Sequence, residues 1–241
     1  MMEGEMAAAK KLRAAALKKR YGVYGHFYGI QLGGTHYDCR SVLELIAHDG
    51  TPRDIQAIQS MDPGLLVVMM NPGSSRPLDG GYEPRTVRSV DEIAKAQVLT
   101  PTRPDNTQYQ IMRLMAAAGV GHARVLNLSD LREPKSPLLM RQLVRLEGVR
   151  GGEGHSLFGG GRDAAFRALA GPEGAVPVLA GWGRHRALEP LARQCLKRLA
   201  GWRIIGVRPD EGQPLYAHPS PMLQRMKDQW LDIVMRQLSG R

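Results

Sequence analysis

Leu65 to Met70 is an unbroken run of leucine, valine and methionine, stopped at once by Asn71-Pro72-Gly73. No alternate position in the run is polar, so a strand built from it has to be covered on both faces. This condition belongs to the centre of a sheet packed between helices, and it limits the chain more than any other segment does.

Three further segments repeat the pattern more weakly: Arg124 to Leu128, Val176 to Ala180, and Trp202 to Val207 with a short extension at Leu215 to Ala217. Helical periodicity lies between or after them. The expected helices are Thr107 to Ala118 ended by Gly119, Pro137 to Leu146, Arg162 to Ala170 ended by Gly171, Arg184 to Leu199, and Pro221 to Leu238. Strands alternating with helices specify an α/β chain. The expected architecture is a three-layer α/β/α sandwich around a central, mostly parallel sheet of four to five strands.

A single domain over 38–241 accounts for these elements, preceded by a basic helix and arm over 1–37. Two stretches read as insertions. Residues 74–105 are rich in proline and turn formers, and in 148–161 seven of fourteen residues are glycine. The second is either a mobile loop or a backbone in close contact with something.

Charge points to the partner. The chain has 33 Lys and Arg against 23 Asp and Glu, a net charge of +10. Met6 to Tyr37 holds no acid while supplying Lys10, Lys11, Arg13, Lys18, Lys19 and Arg20. Such a segment is either a solvated helix or a phosphate-contacting arm. Cys39 and Cys195 fit neither a disulfide framework nor a four-cysteine cluster, and no His or Cys spacing suggests a metal. No window is apolar enough to span a membrane, and the N-terminus lacks a secretory pattern, so a cytoplasmic, nucleoid-associated monomer without cofactor is expected.

In an open α/β sheet, ligands sit beyond the carboxyl ends of the strands. The residues there are Asn71-Pro72-Gly73-Ser74-Ser75, Asn127-Leu128-Ser129-Asp130, Gly181-Trp182-Gly183-Arg184-His185 and His218-Pro219-Ser220-Pro221. Two asparagines and a histidine on one rim can pair with a planar, amide-like ligand such as a nucleobase. There are no paired carboxylates and no phosphate-binding loop in these segments, which disfavours phosphoryl and hydride transfer.

The segment Leu66 to Gly73, followed far downstream by His218-Pro219-Ser220-Pro221, resembles the two signature motifs of the uracil-DNA glycosylase superfamily. The Asn-Pro-Gly form is similar to the mismatch-specific and single-strand-selective branches. Val125-Leu126-Asn127 resembles the strand whose asparagine reads a pyrimidine edge. The likeness spans roughly 64–227 in outline but only some twenty residues in detail, and uncharacterised bacterial proteins share the same layout.

The resemblance implies a role for each residue. Asn71 would orient the attacking water through its amide oxygen, more slowly than a carboxylate would. His218, neutral, would donate to the base oxygen on which negative charge gathers. Asn127 would pair with the edge of a flipped uracil-like or modified pyrimidine. The aromatic pocket floor of that family is missing just after the first motif: either Tyr82, from the first insertion, takes its place, or the pocket is wider than a uracil pocket and suits a pyrimidine with a bulky 5-substituent. Phe158 would cover the base if the glycine-rich loop closed. Pro72, Gly73, Ser74, Ser75 and Ser220 would approach the DNA backbone. Met222 and Leu223 would wedge into the minor groove beside Arg225 and Lys227, with Lys18 and Lys19 adding phosphate contacts. The expected product is an abasic site, formed in base-excision repair or in defence against phage DNA with modified bases. A non-catalytic nucleic-acid-binding protein and a nucleoside hydrolase-like enzyme are the alternatives.

Overall fold

The structure, a computed structural model, describes residues 2–48, 54–95 and 98–240. Its strands are β1 (Tyr21–Leu32), β2 (Thr35–Ala47), β3 (Leu65–Met69), β4 (Arg76–Pro77), β5 (Arg85–Val87), β6 (Thr100–Arg103), β7 (His122–Asn127), β8 (Val178–Ala180) and β9 (Ile204–Ile205). Its helices are α1 (Met2–Lys10), α2 (Ala14–Arg20), α3 (Ile55–Ser60), α4 (Val90–Lys95), α5 (Asn106–Ala118), α6 (Ser136–Leu146), α7 (Asp163–Ala170), α8 (Glu189–Arg198) and α9 (Gln224–Leu238).

One nine-stranded sheet runs β4-β6-β1-β2-β7-β3-β8-β9, with β5 alongside β1. Strands β7, β3, β8 and β9 are mutually parallel, whereas β2 joins β7 antiparallel and pairs with β1 over the full length of a long hairpin. The expectation of a mostly parallel sheet of four to five strands is therefore corrected to a larger mixed sheet. The chain remains α/β.

Both faces of β3 are covered, as its unbroken apolar run demands. Leu66 and Val68 join a core with Leu139 and Leu143 of α6, Phe166 of α7 and Cys195 of α8. Leu65, Val67 and Met69 join a second core with Met112 and Met115 of α5 and Trp230 and Val234 of α9. All five residues of β3 are buried, so truncating Leu66 to alanine would cost about 2–5 kcal/mol. Helix α5 is well terminated: Asp105 forms a reciprocal capping box with Gln108, and Gly119 closes the C-terminus in the left-handed region.

The hairpin that widens the sheet turns at Gly33-Gly34, between the paired residues Leu32 and Thr35. Both glycines have positive φ, +55° and +76°, as a two-residue turn with the twist of a hairpin requires. Position 37 lies inside β2, so the hairpin straddles the boundary expected between an arm and the main domain. The first insertion also contributes to the sheet, through β4, β5 and β6; its positions 96 and 97 lie outside the described residues.

The glycine-rich stretch is packed. Gly152–His155 forms a 3₁₀ turn, and Leu157 and Phe158 enter the core at 0% and 1% exposure. No helix among the described residues is long and apolar enough to cross a membrane.

Candidate active site

Beyond the carboxyl ends of β3 and β7 lies a cavity of about 280 Å³. Asn71, Asn127, His218, Arg40, Asp105 and Ser74 supply its polar lining together with Thr107, Gln108 and Ser136, and Met69, Met70, Ile111 and Val125 supply apolar wall. The two asparagines and the histidine expected on one rim are thus brought together.

Asn71 follows β3 directly. Its Nδ2 donates to the backbone oxygens of Leu131 at 2.9 Å and Glu133 at 2.8 Å. The opposite amide orientation would set an oxygen against two oxygens, so the hydrogen-bond pattern itself assigns the nitrogen. Oδ1 is left as the acceptor that this side chain brings to the cavity. The turn behind it is fastened by Ser75, whose backbone N–H donates to the Pro72 oxygen and whose own carbonyl accepts from Arg132 Nε at 2.7 Å.

His218 is held by the segment after β9. Pro219 packs against Gly181, where a Cβ would meet the proline ring at 3.0 Å, so a side chain at 181 would crowd the approach of the histidine loop to the end of β8. Trp182 and Tyr216 meet edge-to-face at 5.1 Å between centroids, and Trp182 Nε1 donates to the Pro214 oxygen, so this tryptophan packs the loop. The Ser220 backbone N–H donates to Nδ1 of His218 at 3.2 Å. Nδ1 is therefore the acceptor nitrogen, the proton of the neutral ring sits on Nε2, and Nε2 is a donor. Burial lowers the His218 pKa below the usual imidazole value, against the opposing pull of Asp105.

Asn127 ends β7 and is 0% exposed, yet neither its Nδ2 nor its Oδ1 has a partner among the described residues. Buried amides without partners are uncommon, and each unmet group costs about 1–3 kcal/mol. The loop after Asn127 is rigidly backed. Asp130 pairs with Arg162 and accepts from the Tyr28 hydroxyl at 2.8 Å, and Ser129 Oγ lies 3.0 Å from His155 Nδ1. Here the glycine-rich segment serves as a brace behind the asparagine.

Other expected residues separate into groups. Pro72, Gly73 and Ser74 line the cavity, whereas Ser75 is turned inward at 1% exposure. Met222, Leu223 and Arg225 stand exposed after His218 at the start of α9, Met222 at 99%. Lys227 is half-buried, and its backbone oxygen accepts from Gln110 Nε2. Lys18 and Lys19 are exposed on α2, and Lys18 borders a separate groove with Tyr24 and Leu78. Two placements are corrected. Phe158 packs edge-to-face on Phe166 inside the core, so it is walled off from any bound base. Tyr82 is absent from the cavity wall, which has no Phe, Tyr or Trp.

Two charged cavity residues escaped the sequence reading. Asp105 is hidden there as an ordinary helix cap: Oδ1 accepts from Thr107 and Gln108 N–H at 2.8 and 3.0 Å, which leaves Oδ2 for other work. Arg40 lies on β2, a strand whose existence the sequence pattern did not reveal. Among the described residues, no cluster of three or more His, Cys, Asp or Glu could hold a metal. No protein-family model matches the chain, and no curated protein or solved structure is detectably similar to it.

Proposed function

We propose that the cavity is the base pocket of a monofunctional DNA glycosylase, built on a glycosylase-like three-layer arrangement around the parallel strands β7, β3, β8 and β9. One observation carries the reading: two backbone carbonyls lock the Asn71 amide so that its oxygen is the group offered to the cavity, beside a neutral histidine whose donor nitrogen is also determined. An acceptor for water and a donor for a leaving group are the two requirements of N-glycosidic hydrolysis.

In this reading a pyrimidine flips out of DNA and presents its edge to Asn127, satisfying an amide that has no partner among the described residues. Asn71 Oδ1 orients a water toward C1′. As the water oxygen bonds to C1′, its proton passes to Asp105, the C1′–N1 bond breaks, and the electron pair leaves with the base. Nε2–H of His218 stabilises the charge that gathers on the base oxygen. Losing one such preorganised donor slows a reaction about 100- to 1,000-fold. The excess of cations, including the exposed Lys18, Lys19 and Arg225, would hold the phosphate backbone.

The test is an abasic-site assay on oligonucleotides carrying uracil, 5-hydroxymethyluracil or 5-substituted cytosines. Excision by the wild type that is lost in Asn71→Ala and His218→Ala is the expected result. No abasic product on any substrate, with salt-dependent DNA binding intact, would replace this reading with a binding protein on the same fold.

A further inference from the structure

Among the described residues three arginines are buried at 4% exposure or less, and their surroundings differ. Arg124 is fully engaged: Nε meets Glu44 at 2.7 Å, and its two terminal nitrogens donate to the Leu169 and Met61 oxygens at 3.0 Å. Arg162 leaves Nε and Nη2 without a partner among the described residues, but its charge is met by the buried carboxylate of Asp130. Arg40, at 1% exposure, forms no ion pair among the described residues, and its Nε and Nη1 have no hydrogen-bond partner. It is the one of the three that lines the cavity.

An unpaired buried cation is among the most expensive features a fold can carry. Burial depresses the Arg40 pKa to about 10, so the group stays charged at neutral pH. Asp105, Asp130 and Arg132 lie within electrostatic range. Asp130 is neutralised by Arg162, and Asp105 spends one oxygen on capping α5. Of the groups left, Arg40 and Arg132 outnumber Asp105, which leaves an excess positive charge around Arg40; Asp38, the other carboxylate near Arg132, is exposed and screened.

We infer that Arg40 is a specificity-determining residue, and that the preferred ligand is a flat pyrimidine bearing a carboxylate: the ring edge pairs with Asn127 and the carboxylate with Arg40. The wall leaves room for this, because no Phe, Tyr or Trp closes the cavity. A backbone phosphate is a poorer match, since it stays at the mouth of a base pocket while Arg40 is almost wholly enclosed. The inference rests on the glycosylase reading only in taking the ring to be a nucleobase.

Two measurements test it. Calorimetry with the free bases 5-carboxyuracil and uracil should show the wild-type protein preferring the carboxylated base by roughly 10- to 100-fold, the worth of a charge-assisted hydrogen bond. Arg40→Gln should collapse that ratio to near unity, and Arg40→Lys should retain part of it. Equal affinity in the wild type, or a ratio unchanged in Arg40→Gln, overturns the inference. Thermal melting of Arg40→Met checks for a scaffold role: removing an unpaired charge should hold or raise Tm, and a fall of many degrees counts against the assignment. Abasic-site assays on DNA carrying the same two bases separate this inference from the glycosylase reading. A carboxylate preference in binding without excision supports the pocket assignment and sinks the hydrolase. Excision that ignores the carboxylate does the reverse.

Discussion

Asn71 donates a side-chain N–H to the backbone oxygen of Leu131 at 2.9 Å, tying the end of β3 to the loop after β7. This bond makes the intuitive improvement a harmful one. Aspartate at position 71 would be the better proton acceptor, but it would turn carboxylate oxygens toward the Leu131 and Glu133 carbonyls. Asn71→Asp should therefore lose roughly 2 kcal/mol of stability and excise more slowly than the wild type. Urea unfolding and the abasic-site assay measure both; a faster variant of unchanged stability would refute the role given to the amide.

Asp105 can be separated from its capping role. Asparagine caps helices about as well as aspartate, so Asp105→Asn should keep the melting temperature within a few degrees. It cannot accept the water's proton, and the rate should fall on the order of 100-fold or more. Full activity in Asp105→Asn would assign the residue to the helix alone.

Acid should weaken the fold through two histidines. Burial lowers the His155 pKa from 6.5 to about 4, and His218 shifts in the same direction. Below pH ~6.5 the unfolded chain takes up protons that the folded chain refuses, so stability is complete above that pH and declines as pH falls toward 4. At about 1.36 kcal/mol per unit, His155 alone accounts for roughly 3 kcal/mol, and His155→Gln should flatten that part of the profile. Denaturant midpoints at pH 7 and pH 4.5 compare the two proteins. The excision rate should also drop in acid, because protonation at Nδ1 of His218 sets N–H against the Ser220 N–H.

Met222, Leu223 and Met226 are exposed by 99%, 50% and 46%, an unusual apolar display directly after the His218 segment. Replacing Met222 and Leu223 together with alanine should leave stability within about 0.5 kcal/mol, since neither is part of the core. Excision from duplex should fall at least 10-fold while excision from single strands changes little, because only a duplex needs a wedge to open it. Equal losses on both substrates would mean the pair does something else.

The elements legible in the sequence were those with one clean signal. β3 announced itself by an uninterrupted apolar run, and α5 by its terminal Gly119. The convergence of Asn71, Asn127 and His218 followed from strand ends alone. The hairpin was illegible because its polar residues are interior: His26, Arg40, Ser41 and Glu44 are each buried to 2% or less, and Gly22, Gly25 and Gly29 thin out the β-forming residues of β1. Alternation of polar and apolar residues marks a strand with one wet face. Where both faces are dry and charges are met by buried partners, as Glu44 is by His122 and Arg124, that signal vanishes. Arg40 was hidden with the strand that carries it. Phe158 was misread for the opposite reason: half glycine suggests a lid, while here the glycines allow tight packing.

The long hairpin separates two kinds of inheritance. Asn71, Asn127 and His218 follow or end strands of the parallel core, whereas Arg40 comes from β2, joined to that core along the single edge of β7. If the cavity is the base pocket proposed above, substitutions along β2 would retune which base it accepts while Asn71, Asn127 and His218 stay in place. On that reading, a lineage of such proteins would follow a changing repertoire of bases by editing one strand.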